Sequence, residues 1–257
     1  METLACVKRV PDTGASIPLT DDERGIDTST LGFTVSPHEE CAVEEAVQQV
    51  EAHGGATTVL TLGPEVATEQ LQTAVAREAD KAVLLETDGS EWHPAATAKA
   101  IAAAVRAKSE DGAGFDLLLF GNEAADTEDH QVAVRVAHEL DLPYVTAIKE
   151  LDIENGTAVA RREVSGGSEV YELDLPAVVA VKEGINSPRY PSMRSRMQAK
   201  KQPIERIEPE RSDGDGGGLE TIRLEAPAAG GGEAEILGEG PAAAPRVVDV
   251  LDDMGVL

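Results

Sequence analysis

The chain has 257 residues, 41% of them hydrophobic, which is enough to build a core and excludes global disorder. Asp and Glu number 48 against 22 Lys and Arg, and the resulting charge of −26 repels the phosphates of nucleic acid and of anionic membranes. No run of about 18 uncharged apolar residues exists, so no membrane-spanning helix is expected.

The start, METLACVKRV, lacks the basic-then-apolar plan of a secretory signal. Two cysteines, Cys6 and Cys41, are too few for a disulfide framework or a structural zinc site. A cytoplasmic protein is expected. High acidity with few Lys and few aromatics is the composition expected of a salt-rich cytoplasm, where a Debye length of about 3 Å makes the self-repulsion tolerable.

Thr3–Val10 reads as a first strand, broken by Pro11, Gly14 and Pro18. Residues 16–35 form an irregular excursion with hairpin character. Ser36-Pro37-His38-Glu39 is a helix start: Ser36 caps, Pro37 fits the first helical position, and Glu39 reaches back to complete a capping box. Ala42, Val43, Ala46, Val47 and Val50 follow at helical spacing until Gly54-Gly55. Ala56–Leu62 is a strand and Glu65–Ala79 a helix. Ala82–Leu85 is a short strand and His93–Lys108 an Ala-rich helix. Phe115–Phe120 is a buried strand ending at Gly121, and Asp129–Leu140 is a helix. Strands alternating with helices predict an α/β fold with a doubly wound, mostly parallel, Rossmann-like sheet.

After Pro143 the pattern changes. Residues 144–174 predict antiparallel strands turned by Ser165-Gly166-Gly167-Ser168, and Pro176–Val181 returns to the main sheet. Residues 182–206 carry Lys182, Arg189, Arg194, Arg196, Lys200, Lys201 and Arg206 against Glu183 and Glu205. This basic island is either a docking surface for a partner or an arm whose arginines pair with acids of the same chain. Residues 208–245 are rich in Gly, Pro, Ala and Glu and read as an extended arm. Arg246–Leu257 regains helical spacing.

In a doubly wound sheet, ligands bind beyond the carboxyl ends of the strands. Ala5–Asp12, Leu62–Pro64 and Gly121–Gln131 converge there. The third segment is either a phosphate-holding loop built from backbone N–H groups or an ordinary strand-to-helix turn. In the second reading Asp126, Glu128 and Asp129 are favourable charges at a helix N-terminus. No Walker A, GxGxxG, GxSxG or HExxH sequence occurs, and the five histidines lack ligand spacing, so no catalytic residue and no metal are expected. The Ser165–Ser168 turn faintly resembles the pyrophosphate loop of ATP-cleaving synthetases, but a hairpin turn accounts for it.

Five motifs in register resemble the electron transfer flavoprotein beta subunits, the family that includes FixA proteins. They are Val7–Asp12, Ser36–Ala46, Gly121–Gln131, Leu175–Val181, and Asn186–Ile204 with its Pro188-Arg189-Tyr190 and Met197-x-Ala199-Lys200-Lys201. Ser36 stands where the family has Asn, and His38 where it has an aromatic. With the composition, the resemblance implies a protein of a halophilic archaeon. It implies an electron carrier rather than an enzyme, paired with an alpha subunit that holds most of the FAD. That carrier takes electrons from flavoprotein dehydrogenases, such as acyl-CoA dehydrogenases, and passes them to a quinone oxidoreductase or another acceptor. It further implies AMP, or a second FAD in bifurcating members, in the cleft of this chain. The nucleotide contacts carry over to Cys6, Ser36, Pro37, His38, Glu39 and Leu62. They continue along the loop Gly121, Asn122, Glu123, Ala124, Ala125, Asp126, Thr127, Glu128, Asp129, His130, Gln131 and Val132. Thr13 and His38 fall near the alpha-subunit flavin. Arg189, Tyr190, Met193, Arg194 and Arg196 fall in a partner-docking segment, 182–203, where Met193 stands for an anchoring Leu. The resemblance covers 1–206, leaving 207–257 as an arm with a short helix. The competing reading is a stand-alone ATP- or AMP-binding module of the same superfold, which does not explain residues 186–204.

Overall fold

The computed structural model describes residues 1–12, 14, 16–112, 114–211, 220–226 and 235–257. The chain divides into two compact units. One comprises Met1–Pro18 with Asp27–Glu220, and the other Leu19–Ile26 with Thr221–Leu257.

The larger unit is an α/β fold. Its elements in order are β1 (Glu2–Cys6), β2 (Val10–Pro11), β3 (Phe33–Thr34), α1 (Pro37–His53), β4 (Ala56–Gly63), α2 (Thr68–Ala76), β5 (Lys81–Glu86), α3 (Pro94–Glu110), β6 (Leu117–Gly121) and α4 (Val132–Leu140). There follow β7 (Tyr144–Glu154), β8 (Thr157–Val164), β9 (Gly167–Asp174), β10 (Ala177–Val181), α5 (Met193–Ala199) and β11 (Ile204–Ile207). Nine strands form one sheet in the order β11-β5-β4-β1-β6-β10-β7-β8-β9. It is parallel from β11 through β7, and β8 and β9 extend it as an antiparallel meander. A separate two-stranded sheet pairs β2 with β3.

The parallel strands are buried on both faces, which is why they read as continuous apolar runs. Along β6, Leu117 and Leu119 join the core beneath α1 and α2, while Leu118 and Phe120 join the core beneath α3 and α4. Strand β10 repeats the division with Val179 and Val181 on one face and Val178 and Ala180 on the other.

The capping box at Ser36 is present: Glu39 N–H donates to Ser36 Oγ, and Ser36 N–H donates to Glu39. Gly54 ends α1 at a positive φ of 74°. Two expectations are corrected. The first strand stops at Cys6, and Val10–Pro11 belongs to the small sheet. The helix expected from Asp129 begins at Val132, because Glu128 takes a left-handed conformation (φ 52°) that interrupts helix propagation. Ile204–Ile207, at the end of a segment with little hydrophobic periodicity, adds an edge strand beside β5. Its four residues are too few to carry a periodic signal, and Ile207 lies beyond the boundary drawn at 206.

In the smaller unit, Leu19 and Ile26 form an antiparallel bridge, which accords with the hairpin character read for 16–35. Leu224 N–H donates to Glu23 O at 2.7 Å. A second short helix stands at the C-terminal end, α6 (Ala244–Asp253), with Val247, Val248 and Val250 exposed. Among the described residues no helix is long and apolar enough to cross a membrane.

Candidate functional site

Strand order reverses around β1. Successive strands run outward through β4 and β5, and the chain then crosses back to place β6 on the other side of β1. A crevice must open where the connections diverge, beyond the carboxyl ends of β1, β4 and β6. A cleft of about 420 Å³ lies there, within the range of small-molecule sites. Cys6, Leu60, Leu62, Ile101, Phe120 and Val132 supply apolar lining, and Lys8, Arg9, Thr97, Asn122, Thr127 and His130 supply polar groups.

Close backbone approach shapes one side of the cleft. A Cβ on Gly121 would stand 2.7 Å from Glu39 Cγ, 3.0 Å from Glu39 N and 3.1 Å from His38 Cβ. Only glycine lets the end of β6 lie against the start of α1. The following loop is pinned by side chains. Lys8 Nζ donates to Asp126 at 2.8 Å, and Asn122 and His130 meet at 3.2 Å. His38 Nδ1 accepts from Glu183 N–H at 2.9 Å, so in the neutral ring Nε2 carries the proton and faces Glu123 at 3.4 Å.

Glu39 lines the same side and is buried, and burial pushes its carboxyl up to about 8. Hydrogen bonds from the Lys8 and Ser36 backbone and the charge of Lys8 oppose that shift, while Asp126 adds to it. The Cys6 thiol is pushed up by burial first and by Glu39 second, so it is a packing group rather than a nucleophile. Burial lowers Arg9, whose guanidinium stacks 3.2 Å from the Phe33 ring centroid and whose buried Nε has no hydrogen-bond partner in the protein.

Of the residues singled out from sequence, the cleft collects Cys6, Glu39, Leu62, Gly121, Asn122, Glu123, Ala124, Asp126, Thr127, Asp129, His130 and Val132. Ser36, Pro37, His38, Ala125, Glu128 and Gln131 do not line it. Ser36 is buried as the cap of α1, and Gln131 Oε1 accepts from Arg135 instead. The first turn of α4 holds no acid: Asp126, Glu128 and Asp129 all precede its N-cap, Gln131. Thr13 lies outside the described residues.

One wall went unread in the sequence. The loop after β5, with Thr87, Gly89, Ser90, Glu91, Trp92 and His93, folds over the cleft. The signal available was the chain's one tryptophan beside a His93-Pro94 helix start.

The basic segment resolves into two parts. Arg189 is held by the chain's own acids: its backbone N–H and guanidinium reach Glu44 at 2.9–3.3 Å, and its guanidinium reaches Glu51 at 2.7 and 3.0 Å and Glu78 as well. Hydrogen bonds to Glu51 and then Glu44 hold Arg189 above the usual arginine range. Burial alone would raise Glu44, but the Arg189 bonds outweigh it and hold that carboxyl below its usual value. Arg189 is therefore an anchor and not a free cation. Asn186 adds to it, donating to Cys41 O and Glu45 at 3.0 Å. Beyond the anchor, Tyr190 is 87% exposed and Met193 75%, and Arg196 lies 5.1 Å from the Tyr190 ring.

A doubly wound sheet with a cleft at its strand ends and a glycine cradle after the fourth parallel strand defines a Rossmann-like architecture. A family model described as the electron transfer flavoprotein domain matches residues 25–212. "Electron transfer flavoprotein subunit beta" of Bacillus subtilis is 36% identical over 208 residues, 81% of this chain and 79% of that protein. The protein of the same name from Syntrophomonas wolfei is 37% identical over 79% of this chain and 78% of its own. "Electron transfer flavoprotein subunit beta, mitochondrial" of Oryza sativa subsp. indica is 34% identical over 84% of this chain and 85% of its own. The chain belongs to the electron transfer flavoprotein family, and the relatives it matches are beta subunits.

Proposed function

We propose that this chain pairs with an alpha subunit to form a heterodimeric electron carrier of a salt-rich cytoplasm. The carrier takes electrons from flavoprotein dehydrogenases and delivers them to a quinone oxidoreductase or another acceptor. The observation that carries the reading is the Gly121 cradle: a cleft opened by backbone contact, in a chain that matches beta subunits over about four-fifths of its length. An adenine nucleotide fits this cleft. The apolar lining from Cys6, Leu60, Ile101 and Phe120 suits a planar base, and Asn122 and Thr127 offer polar partners. Lys8 and the unsatisfied Arg9 are the cations at hand for phosphate.

FAD held mainly by the alpha subunit supplies the redox chemistry. This chain contributes no proton transfer or covalent step. His38 closes one side of that flavin, its ring oriented by the Glu183 N–H. Tyr190, Met193, Arg194 and Arg196 meet the dehydrogenase, with Met193 as a flexible apolar plug, while Arg189 fixes the base of the segment.

The test is to co-express the chain with its alpha partner, purify the complex in high salt, denature it and count the released nucleotides. One FAD and one AMP per heterodimer is the expected result and marks a simple shuttle. Two FAD and no AMP makes the complex a bifurcating carrier whose second flavin occupies this cleft. A complex with a single FAD and no other nucleotide overturns the reading of the cleft.

A further inference from the structure

The outer wall of the cleft, residues 87–93, is not part of the sheet, and the structure leaves space on both sides of it. Thr87, Ser90 and Trp92 face the cleft and also line a second hollow of about 570 Å³ behind it. The loop has an internal turn, in which Ser90 N–H donates to Asp88 Oδ1 at 2.9 Å, and its start is tied to the end of β4 by Thr87 N–H donating to Gly63 O at 3.0 Å. Trp92 packs against the core beneath α3 and α4 on one side, but the turn from Thr87 to Ser90 backs onto the hollow, where close packing does not hold it, so its position there depends on discrete ties.

One such tie comes from a distant part of the sequence. Strand β11 pairs in parallel with β5, Ile207 opposite Leu85, and Arg206 bonds Glu65 at 3.0 Å and Glu86 at 3.0–3.1 Å. The chain leaving β11 thereby runs beside the loop. Arg211 Nη1 donates to Ser90 Oγ at 2.9 Å and Nη2 to Glu91 O at 3.0 Å, with the guanidinium 5.2 Å from the Trp92 ring. Both hydrogen-bond acceptors are neutral, while the charge of Arg211 also favours the nearby Asp88 carboxylate, so part of the tie persists at salt that screens charges.

We propose that Arg211 is a positioning residue for the cleft: by clamping Ser90, Glu91 and Trp92 from outside it holds the wall shut and slows nucleotide exchange. The proposal rests on the reading of the cleft as an adenine-nucleotide site. A planar fork that bonds two atoms while covering an indole requires arginine, and lysine cannot reproduce it.

The full-length chain and its Arg211→Ala and Arg211→Lys variants are loaded with radiolabelled AMP and chased with unlabelled AMP. Acrylamide quenching of Trp92, the sole tryptophan, is measured on the same samples. Arg211→Ala is expected to release AMP about fivefold faster, a fraction of what two exposed hydrogen bonds and a cation–π contact supply, since the turn is also held by its own bonds. Its Trp92 becomes more accessible to quencher, and Arg211→Lys stays within about twofold of the alanine variant. AMP retained by the wild-type chain but released no faster from Arg211→Ala overturns the clamp alone. Full rescue by lysine also overturns it, since charge would then suffice. A wild-type chain that retains no AMP overturns the reading of the cleft and the clamp's role in exchange, with Trp92 quenching still reporting whether the tie exists.

Discussion

The 121–132 loop and the 182–203 segment differ in what holds them, and the difference matches the roles proposed for them, a ligand site and a docking site. The loop is set at its start by backbone contact, where Gly121 leaves no room for a side chain and Glu39 behind it is buried, and short side-chain bonds then pin the rest. The segment is positioned by side chains: one guanidinium is shared among three carboxylates, and Tyr190 and Met193 beyond it project into solvent. Helix α1 serves both. Its first turn packs on Gly121, and its Glu44 and Glu51 hold Arg189. A concave site needs a fixed wall, whereas a surface that meets several partners needs a fixed base and an adaptable tip.

The sharpest way to break the first half of the comparison is Gly121→Ala. Its Cβ meets backbone at 3.0 Å as well as the Glu39 side chain, so α1 must shift. A loss of about 1–3 kcal/mol in denaturant unfolding is expected, with weakened nucleotide retention. Unchanged stability and retention would mean the cleft does not depend on that contact.

Arg189→Ala tests the second half. It leaves Glu44, whose side chain is 3% exposed, without its cation. Breaking a fully buried pair costs roughly 3–5 kcal/mol, but this guanidinium is a quarter exposed, so about 1–2 kcal/mol is expected. Glu44 is depressed in the folded state, so its share of stability is present above the carboxylate's ordinary pKa and is lost as pH falls through the folded value. The gap between wild type and Arg189→Ala should therefore narrow on acidification. A gap independent of pH would remove Glu44 from the account.

Met193→Ala should change stability least, within about 0.5 kcal/mol, because the side chain is three-quarters exposed. Its effect should instead appear as roughly tenfold slower reduction by a dehydrogenase with FAD content intact. Flavin loss would make the tip structural and erase the contrast with Arg189.

The Ser36 cap, the Pro37 helix start and the Gly54 stop were legible because each acts within four residues of itself. The parallel strands were legible because burial on both faces leaves an unbroken apolar run, and the meander because its strands are joined by short turns. The start of α4 was misread by three residues because a non-glycine at positive φ, Glu128, leaves little compositional trace. Of the two readings of the basic island, sequence could not choose, since Glu44 and Arg189 are 145 positions apart.

What the sequence determined by itself was the fold class, the convergence of the segments after β1, β4 and β6 on one cleft, and the family resemblance. All of these rest on local periodicity and on contiguous motifs. Only the tertiary structure decided which cation is an anchor and which apolar residues are left exposed, and that Trp92 and Arg211 meet across 119 positions of sequence. Those outcomes depend on distances between groups remote along the chain, which composition and spacing do not encode and which exist only once the sheet has brought its edges together.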